Sequence, residues 1–81
     1  MPDTQRLNLL LRLGEAEKYI IPDSSIKHFN QALIIAQTYY YSAKIAKANY
    51  LLGFVHYNNS ELIESRYYLL QCLPYYKQLG D

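Results

Sequence analysis

The chain has 81 residues, 51% hydrophobic and 19% charged, with eight basic residues against seven acidic ones and no Lys/Arg cluster. That is one small globular domain, residues 1–81, too apolar for intrinsic disorder and too evenly charged to hold a nucleic-acid backbone as its main partner. No apolar run reaches the ~18 residues a membrane span needs. No basic segment followed by an apolar stretch opens the sequence, so no signal peptide is expected, and Cys72, the single cysteine, rules out an intrachain disulfide and fits a reducing compartment without requiring one.

Four helix-period segments follow one another. The first begins after Pro2 with Asp3 as its expected cap, carries Leu7, Leu10, Leu11 and Gly14 at three- and four-residue steps, and ends before Pro22, which disfavours helical geometry at Ile21. Asp23 or Ser24 is expected to cap the second, whose stripe is Ile26, Phe29, Ala32, Leu33 and Ala36. The third runs from about Ser42 to Tyr57 with Ile45, Ala48, Leu52 and Val55 on its apolar side. A polar turn, Asn58-Asn59-Ser60, precedes the fourth, with Ser60 or Asn59 as the expected cap. Leu62, Ser65, Leu69, Cys72, Leu73 and Tyr76 form its expected buried stripe, Pro74 predicts a bend, and Gly80 a stop.

The weakest break is Gln37-Thr38-Tyr39-Tyr40-Tyr41-Ser42, which has no Gly or Pro. Three adjacent tyrosines suit a strand, but helical stripes on both sides favour a turn, with one continuous helix as the alternative.

The chain also repeats itself. Leu13-Gly14 recurs as Leu52-Gly53, 39 residues on, and Gln31-Ala32-Leu33 as Gln71-Cys72-Leu73, 40 residues on. Ser25 and Ser65, and Phe29 and Leu69, correspond at the same offset. A glycine inside a helix costs about 1 kcal/mol relative to alanine, so close approach of a neighbouring backbone is its expected reason. Ser25 and Ala32, or Ser65 and Cys72, would face that contact, with Phe29 and Leu69 filling the wider space.

On these residues the chain resembles the tetratricopeptide repeat family, which pairs a Leu-Gly in its first helix with small, large and small residues in its second. The resemblance covers about Thr4 to Asp81, with repeat 1 at about 4–40 and repeat 2 at about 41–81. It implies an all-α fold of two stacked antiparallel helical hairpins. No Trp opens either repeat, His56 stands where the family often has Tyr, and the offset exceeds the usual spacing of about 34. That longer period resembles the extended subclass of kinesin light chains and bacterial peptide-sensing regulators. Asp3-Thr4-Gln5-Arg6 and the tyrosine-rich character are similar to sensory repeat regions of Bacteroidetes histidine kinases, and Lys77 to Asp81 to a linker before another repeat. A cytoplasmic location is favoured by the chain alone, a periplasmic one by a membrane-bound sensor.

The family binds ligands on the concave face formed by first helices. The resemblance puts Asn8, Leu11, Glu15, Lys18 and Tyr19 there from repeat 1, and Lys47, Tyr50, Phe54, Tyr57 and Asn58 from repeat 2. Rings supply contact area and Asn pairs with peptide groups, so the expected partner is a protein or an extended peptide. The plainer reading makes them solvated residues or contacts to a further repeat. Ten tyrosines, several in runs, leave some rings outside, as an interface would need, although packing between repeats accounts equally well for Tyr75 and Tyr76.

His56 with Cys72, or both with His28, lacks ligand-type spacing, and no acidic residue is expected to orient His56. Glu15, Glu17, Glu61 and Glu64 read as surface charges, and no glycine loop cradles phosphate. The expectation is a non-catalytic interaction module without cofactor or metal, part of a larger signalling protein. The alternative is a structural element that forms a homo-oligomer through its open repeat ends.

Overall fold

A computed structural model describes residues 2–80 as four helices: α1 (Asp3–Glu17), α2 (Pro22–Thr38), α3 (Ser42–Asn58) and α4 (Leu62–Gly80), with no strand among the described residues. α1 packs on α2 and α3 on α4 as two hairpins, and α2 packs on α3 to join them into a slab of 34 × 32 × 18 Å. No described helix is long and apolar enough to cross a membrane.

The helices end by backbone geometry more than by side-chain caps. Ile21 sits at φ −132° and ψ 75°, outside the helical region that the following Pro22 disfavours, and Pro22 itself opens α2. None of the first three helices has a side-chain N-cap bond, contrary to the roles expected of Asp3, Asp23 and Ser24. Asp3 is already helical and accepts a hydrogen bond from the Tyr39 hydroxyl, while Ser24 Oγ donates to Glu17 Oε2 at 2.8 Å. The tyrosine run is a turn. Tyr40 takes a left-handed φ of 57°, its N–H reaches Gln37 O at 3.3 Å, and Tyr41 N–H reaches Ala36 O at 2.9 Å. Ser60 repeats the motif at φ 61°, with Ser60 N–H on Tyr57 O at 3.0 Å and Glu61 N–H on His56 O at 2.8 Å. Both are Schellman closures made without glycine, so Ser60 ends α3 instead of starting α4. α4 continues through Pro74, which offers no N–H to the Leu70 carbonyl. Gly80 is still helical, and any stop beyond it lies outside the described residues.

Between the two helices of each hairpin the glycine explains the packing. A Cβ on Gly14 would lie 2.4 Å from the Phe29 ring, and one on Gly53 would lie 2.7 Å from the Leu69 side chain and 3.3 Å from Ser65 O. The close neighbour is thus chiefly the large side chain, where a backbone was expected; Phe29 and Leu69 sit on the glycines. Beside them Ser25 Oγ donates to Gly14 O at 2.6 Å and Ser65 Oγ to Gly53 O at 2.8 Å, both buried. Leu7, Leu10, Leu11, Phe29, Ala32, Ala36, Ala48, Leu51, Leu52 and Val55 form one continuous core, with Ile26, Leu33 and Ile45 packed against it. In α4 only Ser65 and Cys72 are buried. Leu62 (61% exposed), Leu69, Leu73 (54%) and Tyr76 remain open, against the expected stripe, because no described helix covers that side.

The glycines therefore differ in what they tolerate. Gly14→Ala should lower stability by about 1–2 kcal/mol in urea denaturation, since a fully buried ring cannot move aside and overpacking outweighs the gain in helix propensity. Gly53→Ala should cost less, because Leu69 can swing toward solvent, and Gly80→Ala, with nothing within 4 Å, should cost nothing.

Candidate partner-binding trough

Side chains from α1, from the two residues that follow it and from α3 meet along one edge of the slab. Tyr19 stands edge-on to Phe54 with ring centroids 5.8 Å apart. Lys18 Nζ lies 5.2 Å from the Phe54 centroid and 5.4 Å from that of Tyr19, within cation–π range of both. Lys47 Nζ reaches Glu15 Oε2 at 3.9 Å, a partly exposed pair that contributes little stability. Next to this group, Tyr50, Gly53, Phe54, Tyr57 and Leu69 line an open trough of about 270 Å³. Tyr76 meets Tyr50 edge-on at 6.4 Å, and these two line a second hollow of about 260 Å³ beyond it.

The helical repeat accounts for this edge. Tyr50, Phe54 and Tyr57 stand at three- and four-residue steps on α3, so their rings share one face. Gly53 beneath them has no side chain, and Leu69 supplies the floor from α4. Seven of the ten expected residues thus meet: Glu15, Lys18, Tyr19, Lys47, Tyr50, Phe54 and Tyr57. Asn58 is exposed as the last residue of α3, one position past Tyr57. Asn8 lines a separate hollow with Gln5, Leu9 and Arg12. Leu11 is a correction: at 2% exposure it belongs to the core joining α1, α2 and α3 and offers a partner no surface, whereas its repeat counterpart Tyr50 is 49% exposed. Leu69 and Tyr76 had read as core residues. Their place at the trough follows from the uncovered side of α4, which periodicity within one helix does not encode.

Several titratable groups are tied up in packing. His28 Nδ1 lies 2.6 Å from Glu17 Oε1, which with Ser24 clips the α1–α2 turn. Burial pushes the Glu17 carboxyl up, but the bonds from His28 and Ser24 and the His28 charge outweigh it and hold the group below its ordinary 4.5. The counterparts of Glu17 and His28 in the second hairpin are His56 and Tyr68, and these rings stack at 5.4 Å and 7°. One pair of positions thus carries a histidine–carboxylate contact in the first hairpin and a ring stack in the second. His56 Nδ1 also lies 2.9 Å from Glu61 Oε1, so it does have a carboxylate beside it; the tight α3–α4 turn folds Glu61 back. Burial pushes the Cys72 thiol up, away from the thiolate a nucleophile needs, and its Sγ–H donates to Leu69 O at 3.3 Å. Among the described residues no three His, Cys, Asp or Glu side chains come together to hold a metal ion. The Tyr39 hydroxyl is held above its ordinary 10, chiefly by its bond to the Asp3 carboxylate, and its ring stacks on Tyr41 at 5.8 Å against the start of α1.

Because the folded-state pKa of Glu17 is depressed, its contribution to stability is complete above the unfolded value near 4.5 and is lost as pH falls through the lower folded value. Glu17→Gln should therefore lower Tm at pH 6, and the gap to wild type should narrow as the pH is lowered below 4.5. A gap that stays constant over that range would show that the carboxylate does not carry the contact.

No family model matches the chain, and comparison with curated proteins and with solved structures gives no match either.

Proposed function

We propose that this chain is a non-catalytic interaction module of the tetratricopeptide kind, whose trough on the α1–α3 edge receives a segment of a partner protein. The observation that supports this most directly is the apolar trough of Tyr50, Gly53, Phe54, Tyr57 and Leu69, bordered by the Lys18 ammonium. Half-exposed rings on a rigid helix give contact area with little ordering cost, which is what a protein interface draws on. Lys18 adds a cation at the rim and Asn58 a side-chain amide near one end. The specific form of the proposal is a sensory region of a larger signalling protein, which rests on the resemblance of the repeat and of the Asp3–Arg6 opening. A kinase or DNA-binding domain encoded in the same polypeptide would support that form.

The trough is testable with peptides selected from a displayed random library on the wild-type chain. Tyr50→Ala and Asn58→Ala should each weaken those peptides by about tenfold or more while leaving the helical circular-dichroism signal intact. Binding unchanged by both substitutions would remove the trough as the site.

A further inference from the structure

The repeat shows what shape of segment the trough takes. On the first hairpin, the positions equivalent to Tyr50, Gly53, Phe54, Tyr57 and Leu69 are Leu11, Gly14, Glu15, Lys18 and Phe29. That seat is already occupied by α3: Lys47 reaches Glu15, Phe54 lies under Lys18, and Leu11 and Phe29 share a core with Ala48, Leu52 and Val55. The trough is therefore the same seat, one repeat later, and no described helix fills it.

The face that fills the first seat also recurs. α3 buries two faces, one toward α4 and a second, carrying Ala48, Leu51, Leu52 and Val55, toward the first hairpin. The counterparts on α1 are Leu9, Arg12, Leu13 and Ala16, and all four are exposed. Leu52 is 0% exposed and Leu13 40%, at one repeat position and with one side chain. The described chain thus has an empty seat at one end and, at the other, an uncovered helix face with the spacing and largely the chemistry that fills such a seat.

We propose that the trough receives α1 of a second copy of this chain, in a head-to-tail stack that continues the packing of α3 on the first hairpin. This rests on the reading of the trough as a partner-binding surface and names its partner. The contact is heterologous, because one copy offers the seat and the next offers α1, so it does not close at two subunits. Leu9 and Leu13 of the incoming helix take the places of Ala48 and Leu52, and the larger leucine at the first position meets the wider, half-open seat left by Tyr50 and Leu69. Arg12 keeps its charged end at the rim while its stem covers apolar surface.

Sedimentation of the full chain over about 1 µM to 1 mM tests this, with Leu13→Glu spoiling the helix face and Tyr50→Glu spoiling the seat. Both positions are exposed in the single chain, so neither change buries a charge there. Wild type should gain mass with concentration past the dimer, each variant alone should stay monomeric, and a mixture of the two should pair one to one, because it retains one intact seat and one intact face. Monomeric wild type throughout overturns the proposal, as does assembly of either variant alone or a mixture that does not pair. Leu13→Glu leaves the seat untouched and should still bind the library peptides. A wild-type monomer that binds those peptides therefore refutes the stack alone, and one that does not bind them refutes the trough as well.

Discussion

A phenylalanine ring lying where a glycine has no side chain sets the geometry of this protein. Gly14 lets Phe29 come into van der Waals contact with the α1 backbone, and Ser25 fixes the register by donating to the Gly14 carbonyl. The second hairpin has the same three parts in Gly53, Leu69 and Ser65. Each lock combines apolar contact with a buried hydrogen bond worth about 1 kcal/mol, and the bond is satisfied in only one register. Once both hairpins are locked alike, the seat that α3 fills on the first must recur on the second. The aromatic trough is a consequence of the lock more than a separate invention.

The two locks differ in strength. Phe29 is closed in completely, because α3 roofs the first seat, while Leu69 is part of an open floor. The first hairpin and α3 therefore share one core, and α4 is held chiefly by Ser65, Cys72 and its partly buried neighbours. A protein in which stability is graded along the stack has its lowest local stability at the exposed end, where fluctuation and partner exchange cost least. The trough lies on that end.

Much of the fold was legible because the locks are written in residue types of unusual cost. A glycine mid-helix, repeated with a serine and a large residue at fixed offsets, has few readings other than a crossing of helices. The turns were harder to read. Tyr40 and Ser60 take left-handed conformations that glycine usually supplies, at about 1–2 kcal/mol each, and only the closures onto Ala36 and His56 make them visible. Side-chain caps were over-read, since Asp3 and Ser24 found partners across the hairpin instead. At the trough, Leu11 and Tyr50 occupy one repeat position, and only the neighbour decides which is core and which is surface. The same blindness hid Glu61 beside His56, because the closure of the turn at Ser60 folds that carboxylate back onto the end of α3.

The register of the two locks is the claim on which the seat, the trough and the stack all depend. Nuclear Overhauser contacts in the 81-residue chain measure it directly. Contacts from the Gly14 Hα protons to the Phe29 ring, and from the Gly53 Hα protons to the Leu69 methyls, together with a Tyr19–Phe54 ring contact, are the predicted result. A Phe29 ring in contact with a different turn of α1, or a Leu69 side chain with no contact to Gly53, would contradict it.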